Sequence, residues 1–295
     1  MKPKTKNRKV LETIIKVIVS VAALYFVFNQ IEFKEIKEVF LSAKFVFLIP
    51  ALLFFIFSKI LSAIRLNLFF RQIGVKITEI SNLKLYWTGM FYNMFLPGGI
   101  GGDGYKVYLL SQNHDTKVKN LLWIVFLDRL TGMVALGMIT LILWGFSDLK
   151  ANISYLIWSA VFTGFFVLFL IVKKYQPLIY GIFFRVFMLS TMVQIMQIIS
   201  VIFILHSLGF SENLLGYITI FLISSIVSII PLTIGGAGAR ELTFLYGSEW
   251  MNLQTDISIA LSLTFYLITL ITSLAGIFWA IQPASYLLHK KTTMN

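Results

Sequence analysis

Phe95-Leu96-Pro97-Gly98-Gly99-Ile100-Gly101-Gly102-Asp103-Gly104-Tyr105-Lys106 decides how this chain is read, because its core is written twice. The second copy is Pro231-Leu232-Thr233-Ile234-Gly235-Gly236-Ala237-Gly238-Ala239-Arg240, and Pro97 and Pro231 stand at an offset of 134 residues. Aligned, both read Pro-x-x-Ile-Gly-Gly-x-Gly-x-(Lys/Arg). Proline has no N–H to donate and glycine has no Cβ, so the pattern interrupts a helix. Such breaks at matching points of two apolar halves point to a transporter-type site built from discontinuous membrane helices. Pro97, Gly98, Gly99, Gly101, Gly102, Pro231, Gly235, Gly236 and Gly238 are therefore the expected structural residues of the motif.

Composition agrees with a membrane setting. The chain has 295 residues, of which 58% are hydrophobic and only 13% charged, with a mean hydropathy of +0.85. That excludes an ordinary soluble domain and leaves an all-α polytopic membrane protein. The apolar runs are continuous rather than alternating, which argues against a β-barrel. No polar stretch is long enough for a separate domain, so 1–295 reads as one transmembrane domain. The absence of cysteine excludes disulfides, thiolate metal sites and a cysteine nucleophile. The three histidines have no metal-ligand spacing, and there is no nucleotide loop and no Ser/His/Asp order. No catalytic residue, metal or cofactor is expected. The net charge of +12 does not indicate nucleic acid, because the basic residues flank apolar runs as membrane topology requires.

Working outward from the motif, apolar runs at 14–31 and 45–64 read as two spans. The first is preceded by a basic N-terminal segment, with no small-x-small cleavage site after it. Lys59 lies near the end of the second run, where it can snorkel. Arg65, Arg71, Lys76 and Lys84 mark a cytoplasmic segment. The runs 83–96 and 104–110, on either side of the Gly cluster, are too short to cross separately, and the sequence predicts a re-entrant hairpin. Spans are expected at 121–146, 153–172 and 186–208. A second hairpin over 214–250 enters from the opposite face, the alternative being that 214–231 crosses fully and the C-terminus changes side, and a last span covers 257–281. Most of the 25 Lys and Arg then fall on the cytoplasmic side, with Lys34, Lys37, Lys44 and Lys150 outside and Lys59, Lys106, Arg129 and Arg240 within or bordering the membrane. The positive-inside rule supports that orientation, with both termini cytoplasmic. Shifting 121–146 by the same 134 residues gives 255–280, on the last span. The prediction is an inverted repeat of halves about 1–146 and 147–295, with six full spans and two re-entrant hairpins, eight membrane segments in all.

Each copy of the motif ends one helical arm at proline and starts another near the second Gly of the pair. A helix start carries free N–H groups and partial positive charge, so two of them entering from opposite faces can form an anion locus. Lys106 and Arg240 occupy the same motif position, about one turn into their helices, and are the expected phosphate contacts. Asp103 and Glu241 oppose an anion unless paired. Asp103 can pair with Lys106, three residues on, or with Arg240 across the repeat. Asp128 and Arg129 add an adjacent charged pair at the start of a span, and intramembrane charge defaults to function. The opposing reading is that Gly pairs only permit tight helix contact and that Asp128-Arg129 is structural. The six tryptophans, including Trp87, are read as an interfacial belt.

The residues also resemble a known family. Phe95-Leu96-Pro97-Gly98-Gly99-Ile100-Gly101-Gly102-Asp103 with a basic residue three later, Leu127-Asp128-Arg129-Leu130-Thr131-Gly132, and the second copy through Arg240-Glu241 look like the lysylphosphatidylglycerol synthase transmembrane-region family, the flippase-like domain. Ser62 through Arg71 is similar to its segment after the second span. The resemblance covers nearly the whole chain. It implies translocation of lipid between leaflets, aminoacylated phosphatidylglycerol included, and carries Asp103, Lys106, Asp128, Arg129, Arg240 and Glu241 over as substrate-binding positions. Lys106 stands where the family more usually has Arg, which forfeits bidentate phosphate geometry. The soluble aminoacyl-transferring domain of the fused proteins has no counterpart in these 295 residues, so aminoacylation is not expected.

The leading expectation is a flippase or scramblase-like protein of a bacterial plasma (inner) membrane. Its partners are a phospholipid and the bilayer, with a homo-oligomer or a separate synthase compatible with the sequence. The alternatives are a membrane-embedded enzyme, or a non-transporting scaffold, in lipid or cell-envelope polysaccharide synthesis.

Overall fold

The computed structural model describes residues 41–95, 100–145, 151–175, 177–229 and 238–282. The segment 14–31, Pro97, Gly98, Gly99, Pro231, Gly235, Gly236 and the C-terminal tail lie outside the described residues. Within them the chain is helical. In order run α1 (Leu48–Gln72), α2 (Glu79–Phe95), α3 (Gly101–Asn113), α4 (Val118–Gly145), α5 (Ala151–Tyr175), α6 (Phe183–Ser207), α7 (Leu214–Val227), α8 (Ala239–Trp250) and α9 (Thr255–Leu274), which Ile277–Ala280 extends.

Among the described residues, four stretches are long and apolar enough to cross a membrane: Phe45–Gln72, Val118–Gly145, Phe183–Ser207 and Thr255–Ala280. The last coincides with the copy of 121–146 displaced by 134 residues. α5 covers the segment expected to span at 153–172. The arms beside the two breaks are short, with 17 residues in α2, 13 in α3, 14 in α7 and 12 in α8. At 1.5 Å per residue these reach only about 18 to 25 Å, less than the roughly 30 Å of hydrocarbon a crossing needs.

α1 and α6 pack along their whole length and run antiparallel. Lys44 N donates to Ser207 O (2.7 Å), Ser200 Oγ to Ala51 O (2.8 Å) and Arg65 Nη1 to Ser190 Oγ (2.9 Å), so position rises on one helix as it falls on the other. α2 leaves from the Gln72 end of this pair and α7 from the Ser207 end. The two hairpins therefore start from opposite ends of the molecule. Each folds back on itself: Tyr92 meets Tyr105 at 4.7 Å in the first, and Gly247 lies against Ile220 in the second. Each also packs on a long helix of the other half, α2 on α9 and α7 on α4.

Each hairpin has its own apolar core. Phe69, Phe70, Leu85, Leu110 and Leu121 close around the first, and Tyr217, Phe221, Phe244 and Phe265 around the second, with Phe55 of α1 reaching into the latter. α1 thus serves both cores. It runs well past residue 64, where the sequence expectation ends it, because nothing breaks the helix before Gly74, which takes a left-handed φ of 81°. That extension moves two cations. Lys59 becomes the twelfth of 25 residues, about 17 Å of helix from the nearer end and beyond a lysine's reach to the interface. Arg65 is not a cytoplasmic marker but a buried residue of the bundle. Trp87 also departs from the belt: it is buried, and its indole N–H donates to Thr272 O at 3.1 Å. Trp123 and Trp250 are exposed, as a belt requires.

Candidate functional site

In the first hairpin, α3 starts at Gly101, as the motif predicts, and backbone contact holds it to α2. A Cβ on Gly102 would lie 1.8 Å from Gly89 O, so only glycine permits this approach. The Gly102 N–H donates to Asn93 Oδ1 at 2.8 Å, which satisfies one free donor of the helix start. Gly89 also makes room for Lys106: a Cβ there would meet Lys106 Cε at 2.3 Å. Lys106 is buried, with Nζ 3.1 Å from Asp103 Oδ1 and 4.7 Å from the centre of the Tyr86 ring. The other Asp103 oxygen, Oδ2, accepts from Arg129 Nε. One carboxylate therefore bridges two cations, from α3 and α4.

Asp128, next to Arg129, faces elsewhere. Its Oδ1 accepts from Arg65 Nε at 2.7 Å, and Arg65 also holds Ser190. This buried ion pair ties α1, α4 and α6 together. A Cβ on Gly132, one turn on, would approach Arg65 Nη1 to 3.1 Å. Asp128 and Arg129 are thus members of two separate charge pairs, and neither pairs with the other.

The second hairpin is built differently. α8 begins at Ala239, four residues later in the motif than α3, and Gly238 caps it with a φ of 85°, outside right-handed helix. Arg240 is consequently the second residue of its helix rather than one turn in. Glu241 is 1% exposed and folds back on the helix start. Oε2 accepts from Gly238 N at 2.7 Å, and Oε1 accepts from Ser262 Oγ at 3.1 Å. A carboxylate at this third helical position answers both the free N–H and the helix dipole.

Arg240 has no carboxylate within ion-pair distance among the described residues, so the expected pair with Asp103 does not form. Asp103 is taken by Lys106 and Arg129 instead. The Arg240 guanidinium lies over Phe265 (4.9 Å to the ring centre) and Phe221 (5.9 Å), with Ser228 Oγ 3.5 Å from Nε. Lys59 joins the same aromatic group. Its Nζ is 4.4 Å from the Phe55 ring, Phe55 meets Phe265 edge-on at 5.3 Å, and Phe265 meets Phe221 at 4.6 Å. Lys59 is also within electrostatic reach of Arg240 and Arg65. Sequence reasoning gave Lys59 only a snorkelling place near a span end and passed over Gly89. A lysine four residues after Phe55, and a lone glycine inside an apolar helical run, were the available signals.

Long apolar helices, two broken hairpins and ionised side chains inside the bundle define a multi-pass helical membrane protein. The chain belongs to the family described as Lysylphosphatidylglycerol synthase TM region, matched over residues 13–185 and 179–276. No curated protein matches it significantly. Membership gives the chain a membrane-lipid-related role.

Proposed function

We propose that the protein translocates a phospholipid between leaflets, as a flippase or scramblase, with aminoacylated phosphatidylglycerol or another anionic lipid as cargo. The observation that carries this reading is the pair of short hairpins starting from opposite ends of an antiparallel helix pair, each with the basic residue of one shared motif inside the bundle. An inverted repeat with two re-entrant hairpins accounts for that arrangement, and discontinuous helices of this kind serve substrate sites near the membrane midplane. In this reading Lys106 and Arg240 act on the headgroup phosphate, and Asp103, Asp128, Arg129 and Glu241 set the field around it. The tails stay in the bilayer. The protein sits in a bacterial plasma membrane with both termini in the cytoplasm, and it performs no bond-making step of its own.

The test is translocation of labelled phosphatidylglycerol and lysylphosphatidylglycerol in liposomes carrying purified protein, compared with Asp103→Ala and Arg240→Ala variants of verified fold. Wild type is expected to move lipid, and each variant to be slower by about tenfold or more, the scale of one charge-assisted hydrogen bond. Wild type that moves neither lipid, with or without a proton gradient, would overturn the reading in favour of an enzyme or a scaffold.

A further inference from the structure

Among the described residues, two cations inside the bundle have no anionic partner. Lys59 carries three N–H donors and Arg240 five, and among the described residues these groups find ring faces and a single serine at 3.5 Å. Ring faces attract a cation but accept no strong hydrogen bond. Neither residue is fully buried. The other intramembrane cations differ: Lys106 and Arg129 share Asp103, and Arg65 has Asp128. The acid nearest to Arg240, Glu241, is committed to Gly238 N and Ser262.

We propose that Lys59 and Arg240 form the anion seat of this protein, floored by Phe55, Phe265 and Phe221, and that it takes a phosphate headgroup of net negative charge in preference to an aminoacylated one. The inference rests on the lipid reading above and narrows it. Two positive charges on neighbouring rings of one aromatic cluster attract one phosphodiester. They repel the ammonium groups that aminoacylation adds, and the adjacent carboxylate, Glu241, is already taken by Gly238 N and Ser262. The lipid, rather than a free phosphate, follows from the neighbouring surface. Ala239 and Leu242, which bracket Arg240 and Glu241, line an apolar groove with Ile223, Val227, Thr243 and Tyr246 along the outside of the same hairpin. An acyl chain can lie there while its headgroup reaches the seat.

Binding separates this inference from the transport reading. Wild type, Lys59→Met, Arg240→Met and Lys59→Arg, each with a checked thermal melt, would be placed in phosphatidylcholine nanodiscs. They would then be titrated with phosphatidylglycerol, lysylphosphatidylglycerol or soluble glycerol phosphate. The expected result is phosphatidylglycerol affinity at least about tenfold above that for the lysyl form. Lys59→Met and Arg240→Met should each lose about tenfold or more, whereas Lys59→Arg should hold near wild type. Glycerol phosphate should bind more weakly than the lipid, and equal binding would overturn the lipid assignment. Unchanged affinity in a folded Lys59→Met, or lysylphosphatidylglycerol bound as well as phosphatidylglycerol by wild type, would overturn the seat. The wild-type comparison decides the selectivity even where a variant does not fold. Selective binding without translocation in liposomes would leave the seat standing and remove transport. Translocation indifferent to Lys59 would do the reverse.

Discussion

In the α2–α3 hairpin the basic residue of the motif, Lys106, has a carboxylate one turn behind it, and that carboxylate also holds Arg129 from the next helix. In the α7–α8 hairpin the matching residue, Arg240, has aromatic rings, a long contact to Ser228 and an acid that turns away to cap the helix. The origin of the difference is one motif position: Asp103 in the first copy corresponds to Ala237 in the second. The acid of the second copy comes one residue after the cation instead of three before it. A one-residue spacing puts the two side chains on different faces of the helix, so Glu241 reaches backbone and Ser262 rather than Arg240. Closeness differs as well, since backbone touches backbone at Gly89 and Gly102, whereas side chain meets backbone at Ile220 and Gly247. One hairpin is tightly joined with its motif cation paired, and the other is looser with its motif cation lacking a carboxylate partner among the described residues.

The largest effect should come from breaking the close approach. A methyl on Gly102 has no space, with Gly89 O at 1.8 Å, so Gly102→Ala should cost more than about 3 kcal/mol, above the usual range for overpacking. Gly247→Ala in the other hairpin meets only the Ile220 side chain at 3.1 Å and should stay within about 1 kcal/mol, since the strain is offset by better helix propensity. Thermal melts of the two variants in one detergent measure the contrast, and equal losses would remove the distinction between a backbone and a side-chain seam.

Charge gives the next effect. Asp103→Ala leaves two cations without their shared carboxylate and should cost about 3 kcal/mol, the low end for breaking a buried pair because Arg129 is partly exposed. Arg240→Met removes a cation that has no ion-pair partner among the described residues, and should be neutral or stabilising to within about 1 kcal/mol. The pair of melts sharpens the comparison, and similar losses in both would mean that Arg240 is held by a partner in the bundle, as Lys106 is by Asp103.

The smallest effect is expected at Glu241. Glu241→Gln keeps an oxygen for Gly238 N or Ser262 Oγ but loses the charge at the helix start, worth about 1 kcal/mol or less. A melting temperature depressed as far as in Asp103→Ala would show instead that the Glu241 charge also serves Arg240.

Much of the fold was legible before the structure. Long apolar runs, a break of Pro and Gly, and arms too short to cross are local properties, and the helices at 118–145, 183–207 and 255–280 follow them closely. The displaced copy of 121–146 placed the last span because a repeat in the chain is a repeat in hydropathy. The site was legible in part. Asp103 with Lys106 is a one-turn pair readable from spacing. Lys59 was misplaced because the run was ended at residue 64, although no breaker stands before Gly74. Trp87 looked interfacial because a tryptophan beside a short arm resembles a belt residue. The reach of Thr272 toward it is not written near either position.

The sequence by itself determined the membrane setting, the helix breaks, and which copy of the motif owns an acid one turn before its cation, since all three depend on residues within a few turns of each other. Only the tertiary structure decided which cations keep their charge free. Arg65 is neutralised by Asp128 from 63 positions away, and Lys59 and Arg240 reach one set of rings from helices that share no local pattern. An ion pair inside a bundle is made by helix packing, and a charge left over is known only when every neighbour has been placed.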